Sequence, residues 1–108
     1  MNEVKEFVEK GDSSFQEILT TDKLVVFDFY AVWCNPCKVL SRIMDNIAKD
    51  YPNVNFYKSD VEQNINLTDK MGIRNVPTVI FFKDGKRLDT VSGLLPDKTY
   101  INIIKNYA

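Results

Sequence analysis

Two thiols spaced three residues apart, Cys34 and Cys37 in the run Trp33-Cys34-Asn35-Pro36-Cys37, are the groups of this chain best suited to chemistry. On a helix, the i to i+3 spacing puts both side chains on one face with β-carbons roughly 5 to 6 Å apart, while a disulfide needs roughly 3.5 to 4.5 Å. A small relaxation of the first turn closes that gap, so the pair can be oxidised and reduced without refolding the domain. The two thiols should not be equivalent. At a helix N-terminus, free N–H groups and the positive end of the dipole favour a thiolate at Cys34. Cys37, one turn further in, receives less of that field and should be more buried. Cys34 is therefore the expected nucleophile and Cys37 the expected resolving thiol. Pro36 fixes φ in the first turn, where its missing N–H needs no partner.

Other uses of two thiols fit less well. Half of a zinc site would need further ligands, and the chain has neither a third cysteine nor any histidine. Inert core thiols would be wholly buried, whereas the polar Asn35-Pro36 insert argues for an exposed turn. Without His there is also no Ser-His or Cys-His nucleophile pair and no imidazole base, which excludes most hydrolase and metalloenzyme chemistries. Proton transfer near neutral pH must then use a thiol, or a carboxyl or amine whose pKa has been displaced.

The elements that must position the thiols follow from hydrophobic patterning. Leu24 to Tyr30 reads as a strand buried on both faces, and Asp28 is the one charge within it. From Pro36 to Tyr51, apolar residues at Val39, Leu40, Ile43, Met44, Ile47, Ala48 and Tyr51 mark a helix with one face on a sheet. Val4 to Val8 and Val54 to Asp60 read as further strands. A short helix ending at Leu19 would be capped by Ser13 or Ser14, and one from Asn64 to Met71 by Asn64. Thr78 to Lys83 and Lys86 to Ser92 flank Asp84-Gly85, which favours a type I′ hairpin turn. A last helix begins near Pro96. The order β-α-β-α-β-α-β-β-α predicts an α/β fold: a central mixed five-stranded sheet flanked by four helices. Strands separated by helices are expected to pair in parallel, with one antiparallel hairpin. Sites in such sheets form where strand C-termini meet helix N-termini, which is where both cysteines lie.

The chain's 108 residues are the size of one domain, residues 1–108. Its 14 Lys and Arg against 15 Asp and Glu give a net charge of -1, with no electrostatic reason to expect a nucleic-acid or anionic-membrane partner. The acidic-polar start, Met1 to Glu6, is unlike a signal peptide, and no stretch reaches the roughly 18 apolar residues of a membrane span. A cytoplasmic, reducing location is the simplest expectation.

Three blocks, Val26 to Lys38, Gly72 to Thr78 and Phe82 to Gly85, in this order and spacing, resemble the thioredoxin family over essentially the whole chain. The resemblance implies the thioredoxin fold, with Cys34 as nucleophile and Cys37 as resolving thiol. It matches Asp28 to a buried carboxylate beneath the active site and Lys58 to a lysine near it. Burial disfavours the charged carboxylate, so Asp28 becomes the candidate proton acceptor for Cys37. Lys58 could equally be a solvated strand residue. Pro77 matches the family's cis-proline, whose loop leaves the Val76 backbone free to pair with an extended substrate. Trp33, Ile73, Val76 and Gly93 match its apolar contact surface, with Asn35 and Pro36 between the thiols. Taken singly, Ile73 and Val76 could be core residues and Gly93 a plain loop glycine. Asn35 stands where a Gly is usual, Tyr30 where a Trp is common, and Arg42 where many members have a helix-kinking proline.

The resemblance implies a thiol-disulfide oxidoreductase that reduces protein disulfides as an electron donor in cell redox homeostasis. It implies no bound cofactor and no metal, recycling by a thioredoxin reductase that draws on NADPH, and a monomer. Two alternatives use the same features. An oxidase or isomerase would run the exchange the other way in an exported protein. A binding module would use the apolar surface alone, and would not need both cysteines together with Asp28.

Overall fold

Val25-Val26-Phe27-Asp28-Phe29-Tyr30 forms the middle strand of a five-stranded sheet in the computed structural model, which describes residues 2–11 and 14–108. In chain order the elements are β1 (Val4–Glu6), α1 (Ser14–Leu19), β2 (Val25–Tyr30), α2 (Asn35–Asp50), β3 (Asn55–Asp60), α3 (Ile65–Lys70), β4 (Thr78–Lys83), β5 (Lys86–Ser92) and α4 (Asp97–Tyr107). The strands lie in the order β1-β3-β2-β4-β5.

Parallel pairing holds for β1 with β3 and for β2 with β3, but β4 runs antiparallel to β2 despite the helix before it. The connection from Val61 to Pro77 brings the chain back to the end of the sheet where β2 and β3 both finish: Thr78, first in β4, pairs with Phe29 near the end of β2, so β4 runs in the reverse direction. The hairpin that follows turns at Asp84 (φ 52°) and Gly85 (φ 77°), the two left-handed positions of a type I′ turn.

Because successive strand residues point to opposite faces, β2 feeds two cores. Val26 faces α2 and α4 among Leu40, Met44, Ile47, Tyr100 and Ile104. Phe27 and Phe29 face α1 and α3 among Phe7, Phe15, Leu67 and Phe82. The Phe27 ring meets Phe15 edge-on at 5.1 Å and stacks on Tyr57 at 5.1 Å. The same alternation sends Asp28 to the α2 and α4 side. On α2 the expected stripe is buried at Leu40, Met44, Ile47 and Ala48, while Val39 is exposed.

Three local expectations change. β1 stops at Glu6 rather than Val8, which is exposed. Ser13 lies outside the described residues, and Ser14 is the first residue of α1, its hydroxyl accepting from the Lys10 N–H and donating to the Gly11 carbonyl. Asn64 precedes α3 but its side chain does not cap it. Instead it turns inward, donating to the Phe7 carbonyl and Ser59 hydroxyl (2.9 Å each) and accepting from the Glu9 N–H (2.9 Å). The Glu9 carboxylate takes over the cap, accepting from the N–H groups of Asn66 and Leu67.

Asn64 thus links the segment after β1 to β3 and α3. Asn64→Ala leaves buried partners unmatched and should cost about 2 to 3 kcal/mol, read as a lower urea midpoint at unchanged slope. An unchanged midpoint would mean that water replaces these bonds without loss.

Candidate active site

The helix carrying the thiols starts where the sequence predicts. Cys34 has extended backbone (φ -89°, ψ 110°) and is the N-cap of α2, and Asn35 and Pro36 fill the first turn. Its sulfur accepts from the Cys37 N–H at 3.2 Å. This is a donor aimed at the sulfur on which a thiolate would carry its charge, and a hydrogen bond to the charged form favours it. Cys34 and Cys37 form a disulfide, with Cα atoms 5.2 Å apart. Cys37 is the more buried, as expected, but the exposed turn does not extend to the sulfurs: Cys34 is only 5% exposed and Cys37 2%. Ala31 and the partly buried Tyr30, Val61 and Val76 pack around them. Asn35 and Pro36 are exposed beside them, as are Val32 and Trp33, the last at 67%.

Facing the disulfide is the loop before β4. The Val76–Pro77 peptide is cis, and the Val76 carbonyl oxygen lies 3.9 Å from the Cys34 sulfur. Pairing in β4 begins at Thr78, so Val76 takes no part in the ladder. Trp33, Val61, Ile73 and Val76 line an open hollow of about 350 Å³, with Thr68, Arg74 and Asn75 completing it. Gly93 is not among its lining residues. It supports the loop from β5 instead, its N–H donating to the Pro77 carbonyl at 2.8 Å with φ at 83°.

On the other side of the disulfide, Asp28, Cys37, Lys58, Tyr30 and Ser41 surround a second pocket of about 230 Å³. Asp28 is 2% exposed and its Oδ1 has no hydrogen-bond partner. Burial pushes its carboxyl up to about 7 from an ordinary 3.8; the Lys58 ammonium offsets part of this, and Asp45 and Glu6 push it further up. A carboxyl poised near neutrality beside Cys37 can accept a proton. Lys58 is half-buried, 3.9 Å from Glu6 and 5.9 Å from the centre of the Tyr30 ring. The Tyr30 hydroxyl donates to both Glu6 oxygens, at 2.8 and 3.0 Å. Burial and that bond raise the Tyr30 pKa. Glu6 was not apparent from sequence patterning, because it joins the site only through the register of β1 on β3.

Comparison with known proteins gives a consistent family. The thioredoxin family model matches residues 6–106. The thioredoxin of Mycoplasmoides gallisepticum is 41% identical over 93 residues, which are 86% of this chain and 93% of that protein. The chloroplastic M-type thioredoxin of Pisum sativum is 38% identical over 99 residues, covering 90% of this chain and 58% of that protein. The crystal structure of Malassezia sympodialis thioredoxin superimposes with a TM-score of 0.87 at 34% identity, covering 100% of this chain and 94% of that one.

The Asp28 shift makes stability depend on pH in a definite direction. A carboxyl that titrates near 7 in the fold and 3.8 outside it binds its proton more tightly when folded. The stability this gives is complete below the lower value and is lost as pH rises through the higher one. Asp28→Asn cannot ionise and escapes that loss. It should exceed the parent's stability by up to about 4 kcal/mol near pH 9, with most of the difference gone near pH 4. Urea unfolding of the oxidised proteins at both pH values measures it. A pH-independent difference would show that Asp28 does not titrate in this range.

Proposed function

The chain belongs to the thioredoxin family, and from that premise we propose how this thiol-disulfide oxidoreductase divides its labour among residues. Cys34, as thiolate, attacks one sulfur of a substrate disulfide. A mixed disulfide forms at Cys34, and the other substrate sulfur leaves as a thiolate and picks up a proton. Cys37 then gives its proton to the Asp28 carboxylate and attacks the Cys34 sulfur. The second substrate sulfur leaves, and the Cys34–Cys37 disulfide closes. Two electrons have passed from the pair to the substrate. The observation that carries this assignment is the buried Asp28 carboxyl, its Oδ1 without a hydrogen-bond partner, lining one pocket with Cys37, while Cys34 lies on the opposite side, 3.9 Å from Val76.

Substrate recognition is proposed at the hollow beside Trp33. An extended segment lays its backbone along Val76, while Trp33 and Ile73 cover its apolar side chains. Asn35 and Pro36 border the approach, and Gly93 and Pro77 hold the loop in place. Backbone pairing with a small apolar surface asks little of substrate sequence and suits many protein disulfides. Lys58 tunes Asp28. A thioredoxin reductase drawing on NADPH restores the dithiol, and no cofactor stays bound. The proposed setting is a reducing compartment, the cytoplasm first, because both cysteines belong to the redox pair and none is left to a structural disulfide. Among the described residues, no helix is long and apolar enough to cross a membrane.

Reduced protein should cleave insulin disulfides, and Cys34→Ser should lower that rate by at least about 10²-fold. Cys37→Ser should instead accumulate mixed disulfides through Cys34, visible on non-reducing gels; trapping through Cys37 in the reverse variant would exchange the two roles. Asp28→Asn should slow the resolving step about tenfold near pH 7 and little above about pH 9, where the Cys37 thiol ionises without help. Stopped-flow rates that match the parent's across that range would remove Asp28 from the step.

A further inference from the structure

Glu6, Lys58 and Asp28 stand in one row across three adjacent strands: Glu6 of β1 is level with Lys58 of β3, and Lys58 with Asp28 of β2. Partners in parallel register project to the same face of a sheet, and Tyr30, two residues beyond Asp28, shares it. The middle residue is a cation with a carboxylate on either side. It takes the outer one. Glu6 is the only carboxylate within 4.0 Å of the Lys58 nitrogen among the described residues, at 3.9 Å, and the inner Asp28 Oδ1 is unpartnered. The outer carboxylate is itself fixed, since the Tyr30 hydroxyl donates to both its oxygens and the Lys58 ammonium lies over the Tyr30 ring. A lysine side chain has the length and rotamer freedom to reach either neighbour, so this choice needs a cause.

We propose that Glu6 is a positioning residue of the redox site: with Tyr30 it tethers the Lys58 ammonium at the outer end of the row and keeps it from pairing with Asp28. Released, the ammonium would move inward and stabilise the Asp28 carboxylate, which would then hold a proton from Cys37 less well. The other titratable or charged groups toward Asp28 are Cys37, Lys38 and Asp45 of α2 and Tyr100 of α4, while β4 presents the apolar Val79. None of them lies between Lys58 and Glu6 in the row. The catalytic consequence rests on Asp28 being the proton acceptor; the tether itself does not.

The test is the titration of Asp28 in the reduced protein, followed by carboxyl-carbon NMR and assigned with Asp28→Asn. Glu6→Gln should lower the Asp28 midpoint by about one pH unit, a tenfold fall in proton affinity, and Tyr30→Phe should lower it by less. Removing the Glu6 charge also lowers the midpoint directly, so the deciding measurement repeats Glu6→Gln in a Lys58→Met background. A tether predicts that most of the shift disappears there. A shift of equal size with and without Lys58, or none in Glu6→Gln alone, would overturn the proposal. Single-turnover resolution of a mixed disulfide is then followed against pH in the same variants. If its midpoint follows Asp28, both the tether and the proton-acceptor role stand. If Asp28 moves and the kinetic midpoint does not, the tether stands and the acceptor role falls.

Discussion

Burying a carboxyl inside a strand that is covered on both faces is costly, and much of this molecule is arranged around that cost. β2 has β3 and β4 on its edges, one core above and another below. A side chain on it finds little water, and Asp28 has no hydrogen bond at Oδ1 to replace what it loses. The group meets the cost by holding its proton up to about neutral pH. Stability and chemistry pull in opposite directions here. An uncharged residue would suit the strand better, and the proposed role of proton acceptor beneath Cys37 would give the carboxyl a reason to be there.

The thiols meet a related constraint in a different way. Capping α2 with Cys34 rather than with a hydroxyl or carboxylate residue directs a backbone N–H at a sulfur. The end of β2 and the start of α2 are therefore joined by a turn whose capping group is also the reacting group. The cis Val76–Pro77 loop closes the site from the opposite side and leaves Val76 outside the ladder. The disulfide lies between Val76, which lines the hollow beside Trp33, and the pocket that Cys37 shares with Asp28.

What the sequence made legible was whatever depends on local pattern. The unbroken apolar run of β2 with a single charge marked both the central strand and Asp28, and the three-residue spacing of the cysteines located the start of α2. The Asp84-Gly85 pair declared its turn. What it hid depends on pairing between distant segments. The direction of β4 is fixed by its register on β2, which no local pattern announces. Asn64 looked like a cap because its type and position suit one; two partners far along the chain, Phe7 and Glu9, together with Ser59, outcompete the local bond. Glu6 sits in an unremarkable polar stretch and gains its meaning only when β1 is laid against β3.

That last placement has a dynamic consequence. β1 is three residues long, lies at the sheet's edge and is paired on one side only. Short edge strands open locally at far less free energy than a central strand such as β2. Each time β1 frays, Glu6 departs with it and the ammonium of Lys58 is left to the remaining carboxylate. The proton affinity of the buried acid is then an average over two populations, weighted by how often a peripheral strand is docked. With the proposed roles of Glu6 and Asp28, a partner protein that gripped or displaced that edge would adjust the speed of thiol exchange without touching either sulfur.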